Sequence, residues 1–202
     1  MSNLQLLSFH DWLVDLRREL HQIPEPGYKE EKTAAKICRV LDELGIPYQT
    51  GVGKTGVVAR VKSQKEGPVV AFRADMDALP LEESNDVPYK SLHPGFMHAC
   101  GHDVHITSLV GTARQMVARK DDWSGTLMLV VQPAEERISG ARRMLEDGLY
   151  ERFPKPDYAL AFHVSSQNVA GQVNISEGSP FAGADTVDII INGVGAHGAH
   201  SF

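Results

Sequence analysis

The stretch FMHACGHDVH, residues 96–105, packs one cysteine, three histidines and an aspartate into ten positions. Thiolate and imidazole bind zinc-like ions, and carboxylates complete such shells. One glycine separates Cys100 from His102, so both can turn toward one centre from a tight loop. Other reactive residues lie far off in the chain. Asp75 and Asp77 directly follow the apolar run PVVAFRA, Glu135 and Glu136 follow GTLMLVV, and His163 closes YALAF. Neighbouring glutamates on a turn point differently, so one can ligate while the other serves a water as general base. This set of residue types describes metal-assisted hydrolysis, with two ions about 3.5–4 Å apart stabilising the attacking and leaving atoms.

Such residues must be brought together by the elements between them. Ser8, with Asp11 three positions on, opens an amphipathic helix carrying Leu13, Leu16 and Leu20, and HQIPEPGY ends it. Ala34, Ile37, Leu41 and Leu44 mark a second helix, with Gly45 at the C-terminal cap position. GVVARV and PVVAFRA read as β-branched strands in a hairpin-like arrangement about SQKEG. HDVHITSLVGTARQMVAR keeps one apolar stripe and predicts a helix, as does ISGARRMLEDG. GTLMLVV and YALAFHV are continuous apolar runs, the pattern of strands covered on both faces. The expected fold class is α/β, a mostly parallel sheet with helices on both faces. In open α/β sheets ligands bind outside the carboxyl ends of the strands. Three strands here deliver acids or a histidine to that edge. After about residue 170, GQVNISEG and TVDIIINGVG read as strands without intervening helices, the opening strands of a second, α+β domain.

Composition narrows the function. The chain has 202 residues, 42% of them hydrophobic and 23% charged, as in ordinary globular proteins. A net charge of -6 argues against nucleic acid or an anionic membrane as partner. Two cysteines make no disulfide framework, and Cys38 reads as a small core residue. The N-terminus lacks a basic start followed by an apolar run, and no window reaches the ~18 apolar residues of a membrane span. A cytoplasmic location is expected.

Ordinary readings suffice for several residues. His10, His21 and His93 read as surface or satisfied core histidines, and Glu82–Glu83 as a solvated face. His105 is either a helix-surface residue or a partner of the site. Asp75 and Asp77 either serve the site or cap the turn before Pro80. Cys100 as a nucleophile with His102 as base is a further alternative, but it leaves Glu135 and Glu136 without a task.

RRELHQIPEPGYKEEKTA, RADMDALPLEE, MHACGHDVH, QPAEERISGARRMLEDG and FHVSS resemble, in order and spacing, the amidohydrolase branch of the aminoacylase-like dinuclear metallopeptidases. That branch includes hippurate hydrolases, N-acyl-L-amino acid amidohydrolases and indole-acetyl-amino acid hydrolases. The resemblance covers essentially the whole chain. It implies a zinc-exopeptidase-like catalytic domain whose N-terminal part spans 1–178, followed at 179–202 by the start of a lid and dimerisation domain. It also implies two divalent metal ions, zinc or manganese. Cys100 then matches the bridging thiolate, and His102, Glu136 and His163 match further ligands. Glu135 matches the general base that activates the water and then protonates the leaving amine. Asp75 matches the acidic residue behind the metals, and His197 the lid histidine that contacts substrate or the developing oxyanion. The implied reaction is hydrolysis of the amide of a small N-acyl amino acid by a homodimer.

Two departures stand out. Family members usually continue with Pro and His where this chain has Ser201 and Phe202, and they are much longer. The chain is therefore expected to be a truncated N-terminal part that lacks a final histidine ligand, binds metal weakly and turns over little. Two other functions fit less well. A metallo-carboxypeptidase or dipeptidase of the same superfamily would usually place Asp where Cys100 stands. A non-catalytic protein would bind a partner through its unfinished sheet.

Overall fold

The computed structural model describes residues 8–175, together with 177, 178, 183, 187, 189, 190, 192–195, 197 and 199. The chain divides into two units, Met1–Ser165 and Ser166–Phe202. In the first, elements run α1 (Phe9–His21), α2 (Glu31–Glu43), β1 (Tyr48–Val52), β2 (Gly56–Lys62), β3 (Val69–Asp75), α3 (His102–Ala118), β4 (Thr126–Gln132), α4 (Gly140–Glu146), α5 (Leu149–Arg152) and β5 (Tyr158–Ala161).

The helix ends obey local chemistry. Ser8 accepts the Asp11 N–H at 3.1 Å and caps α1. Gly45 takes φ 66° after α2, and the Ile46 N–H reaches back to the Leu41 carbonyl at 2.9 Å. The buried stripe of α1 runs through Trp12, Leu16 and Leu20, four residues apart.

Five strands form one sheet in the order β1-β2-β4-β3-β5. It is mixed. β1–β2 and β2–β4 are antiparallel, whereas β4–β3 and β3–β5 are parallel. The expectation of a mostly parallel sheet thus holds for one half only. β2 and β3 form no hairpin, because β4 inserts between them. The reason is burial: β4 is apolar on both faces, and the centre of the sheet is where both faces are covered. Leu127, Leu129 and Val131 of β4 pack under α1, α2 and α3. Met128 and Val130 point oppositely, into a smaller core with Met144, Leu149 and Phe153 from the α4–α5 side. Helices therefore cover both faces, as expected. Leu129 is fully buried in the larger core. Leu129→Ala is expected to lower the unfolding free energy by about 2–5 kcal/mol. Urea titration measures this, and an unchanged midpoint would contradict the packing described.

β5 departs from its sequence pattern. YALA was expected to be covered on both faces, yet Tyr158 is 65% and Leu160 61% exposed. Among the described residues β5 is an edge strand that pairs with β3 alone. An apolar cleft of about 450 Å³ lies beside it, lined by Phe72, Met116, Trp123 and Leu160 among others.

Within Ser166–Phe202 the described residues form turns, such as the bond from the Gln172 N–H to the Val169 carbonyl at 3.0 Å, and no helix or strand. A strand was expected over 186–195, but the described residues there, 187, 189, 190 and 192–195, form none; 186, 188 and 191 and much of the expected lid, 179–202, lie outside the described set. Among the described residues no helix is long and apolar enough to cross a membrane.

Candidate metal centre

The parallel half of the sheet builds the site. β3 and β4 run in register, with Asp75 opposite Gln132, so both chains leave the sheet at one edge. β5 lies on the other side of β3 with Ala161 opposite Arg73, and His163 follows two residues later. Cys100 and His102 arrive at this edge on the turn that opens α3. Gly101 takes φ 86° there, and a β-carbon on it would come within 2.4 Å of Val164 Cγ2. Glycine therefore allows the cysteine loop to lie against the continuation of β5.

Cys100 Sγ is 3.3 Å from His163 Nε2. His102 Nε2 lies among three carboxylates: Asp75 Oδ2 at 3.6 Å, Glu136 Oε1 at 3.7 Å and Glu135 Oε2 at 3.8 Å. Its Nδ1 is 3.4 Å from Asp77 Oδ1. These separations are too long for good hydrogen bonds. Both nitrogens of His102 and Oε1 of Glu136 are buried without a hydrogen-bond partner. Such orphaned atoms are uncommon in folded proteins. Potential ligand atoms of Cys100, His102 and His163 lie within 4.8 Å of one another, and so do those of His102, Glu135 and Glu136. A soft thiol, imidazoles and carboxylates facing a shared gap fit divalent metal cations.

Electrostatics point the same way. Burial, then the carboxylates of Glu136, Glu135 and Asp75, push the Cys100 thiol up to about 12. A thiolate there needs a cation beside it, and a free nucleophilic thiolate is disfavoured. Burial also raises Glu135, helped by the Asp75 and Glu136 charges against the pull of His102. Its side chain keeps 39% exposure. Burial would lower His102, but Asp77, Asp75 and Glu136 together raise it above its ordinary value. Burial would raise Asp75, yet the His105 hydrogen bond and the His102 and Arg73 charges hold it at about 2.

A ring of buried polar contacts fixes these groups. Arg73 Nη1 donates to Asp75 Oδ2 at 2.8 Å. The Val164 N–H donates to His105 Nε2 at 3.1 Å, so the hydrogen of His105 sits on Nδ1 and bonds Asp75 Oδ1 at 2.6 Å. His105 is thus a buried link between β3 and the His163 segment, not a helix-surface residue. Asp77 does not merely cap a turn: its two oxygens accept the Glu135 and Glu136 N–H groups, each at 3.0 Å.

The structure brings Asp75, Cys100, His102, Glu135, Glu136 and His163 to one edge. His197 belongs to the other unit, where its Nδ1 accepts the Ala199 N–H at 3.2 Å. Glu83 is buried rather than part of a solvated face. It accepts the Ser91 N–H at 2.7 Å and meets His21 Nε2 at 3.2 Å. His21 Nδ1 in turn bonds Asp103 Oδ2 at 2.6 Å, beneath the start of α3. No local pattern marks these residues or Glu30, because the His21 contacts to Glu83 and Asp103 span 62 and 82 positions and the Glu30 contact to Ala134 spans 104.

A family model described as peptidase family M20/M25/M40 matches residues 71–197. Thermostable carboxypeptidase 2 of Saccharolobus solfataricus is 42% identical over 192 residues, which cover 94% of this chain and 48% of that protein. N-acetylcysteine deacetylase of Bacillus subtilis is 39% identical over 195 residues, covering 94% and 50%. Among solved structures, the Bacillus subtilis YxeP protein, described as a dinuclear metal binding peptidase from the M20 family, superposes with a TM-score of 0.73 at 41% identity. That match covers 78% of this chain and 44% of the other. The chain spans about half the length of the curated relatives it matches.

Proposed function

Starting from a chain that belongs to peptidase family M20/M25/M40, we propose that it forms the N-terminal, metal-binding part of an amidohydrolase acting on small N-acyl amino acids, hippurate-like compounds among them. The observation that carries this reading is the gap around His102, where unpartnered buried ligand atoms from two loops face one another. Cys100, His102, Glu136 and His163 would hold two divalent ions, zinc or manganese. Bound ions would polarise the scissile carbonyl and acidify a water.

Glu135 is the base. Its carboxylate is raised toward the working range and partly open to solvent, whereas Oε1 of Glu136 is buried. Glu135 takes a proton from the attacking water and hands it to the nitrogen of the leaving amino acid. Asp75, already saturated by Arg73 and His105, stays behind the site and holds His102 in a negative field. His197 is assigned to the substrate, and the lid with its homodimer contact to the segment from 179 onward. A free cysteine as ligand suits a reducing, cytoplasmic setting.

One observation favours a second reading, cleavage of peptides from the carboxyl end: the carboxypeptidase relative is 42% identical. A panel of N-acyl amino acids against dipeptides and longer peptides separates the two. Glu135→Gln separates base from ligand. It is expected to keep the wild-type metal content and to lower hydrolysis about 10²–10⁴-fold. Loss of metal from Glu135→Gln would overturn its assignment as the base.

A further inference from the structure

Glu30 stands at the N-cap position of α2, yet its side chain makes no capping bond. Glu25 does that work: its Oε2 accepts the Thr33 N–H at 2.9 Å and the Thr33 hydroxyl at 3.0 Å, and its Oε1 the Lys32 N–H at 3.2 Å. Released from the helix, Glu30 reaches across to the other side of the fold. It is 0% exposed. Its Oε1 accepts the Ala134 N–H at 2.8 Å, 104 residues away, and its Oε2 accepts the Thr55 hydroxyl at 2.5 Å. A carboxyl group is buried this deeply only where its hydrogen bonds repay the lost water.

The gripped residue is unusual. Ala134 has φ 47°, a left-handed conformation that residues with a β-carbon avoid. It leads directly into Glu135 and Glu136. With Asp77 bound to the next two N–H groups, three successive amides are held by carboxylate oxygens from elsewhere in the chain. The segment that carries Glu30 also packs on the same turn: a β-carbon on Gly27 would lie 2.9 Å from Ala134 Cα. The Tyr28 hydroxyl reaches Ser139 Oγ at 2.8 Å.

We infer that Glu30 is a positioning residue for the glutamate pair: by holding Ala134 left-handed it sets the directions in which Glu135 and Glu136 leave the strand. The inference rests on the proposed metal centre for its consequence, but not for its geometry.

The test compares the full chain with Glu30→Ala and Glu30→Gln. Glutamine keeps an oxygen for the Ala134 N–H. In Glu30→Ala, amide exchange at Ala134, Glu135 and Glu136 is expected to rise about tenfold or more, with the β4 amides unchanged. At saturating cobalt, its ligand-field bands are expected to shift while the thiolate band from Cys100 persists. Glu30→Gln restores both readouts. An unaltered cobalt spectrum, or exchange rising equally throughout the fold, overturns the inference and leaves Glu30 a strut of α2. Should Glu30→Ala fail to fold, Thr55→Val, which removes one of Glu30's two anchors, carries the same comparison. A wild-type chain that takes up no cobalt refutes the metal centre instead, and the exchange pattern then decides the role of Glu30 alone.

Discussion

Cys100→Ala is expected to strip the purified chain of bound metal, taking it from about one to two equivalents to background. Cys100 is the softest donor in the cluster and sits 3.3 Å from His163. Its thiol is pushed up to about 12 by burial and by the carboxylates of Glu136, Glu135 and Asp75. An ion therefore enters by displacing a proton, and uptake strengthens as pH rises. His102→Ala is expected to act similarly, because its Nε2 faces three carboxylates. Elemental analysis across pH, with both variants beside the wild type, measures this. Equal metal in Cys100→Ala and wild type would remove the cysteine from the site. A nucleophilic cysteine makes the opposite prediction, inactivation by alkylation with no response to chelator, and the raised thiol opposes it.

His21→Ala is expected to destabilise the fold by about 3–5 kcal/mol, because it leaves the buried Asp103 carboxylate with Arg17 as its remaining ion partner. The effect depends on pH in a defined direction. The Asp103 hydrogen bond raises His21 above 6.5, against the opposing effect of burial. Its share of the stability is therefore complete below 6.5 and fades as pH climbs through the raised value. Asp103 is held below 3.8: burial works against this, but His21, His98 and Arg17 prevail. Its share is present above 3.8 and fades as pH falls through the lowered value. The loss in His21→Ala should thus be greatest between about pH 4 and 6.5 and shrink on both sides. Denaturant unfolding at several pH values tests it, and a pH-independent loss would show that packing rather than charge holds the pair. Nearby His98 is buried with both ring nitrogens unpartnered, and burial, with His102 and His21, lowers it to about 4. It therefore loses its charge as pH rises above about 4, at the lower edge of that window.

The relation between sequence and site differs from residue to residue. Cys100 and His102 were legible because one glycine separates them and a helix follows. Glu135, Glu136, Asp75 and His163 were legible because each ends an apolar run. Glu83 was misread as solvated, since PLEESND looks polar throughout and its partners, His21 and Ser91, belong to other segments. β5 reads as buried from its apolar run but is exposed at the sheet edge in a chain that spans about half the length of its curated relatives; apolar content reports what a strand tolerates, not which neighbour covers it. The same limit explains the absent hairpin: short spacing between β2 and β3 suggests pairing, but β4 buries more apolar surface between them.

By itself, then, the sequence determined the α/β class, the helix caps, the candidate ligand residues and the strand ends that carry them, because periodicity, capping and motif spacing act over a few residues. Only the tertiary structure decided the strand order, the shared register of Asp75 and Gln132, and the grip of Glu30 and Asp77 on the glutamate turn. The register and the two grips depend on contacts between residues 57 to 104 positions apart. Whichever arrangement buries the most apolar surface while satisfying every buried polar group decides such contacts, and no local pattern encodes that balance.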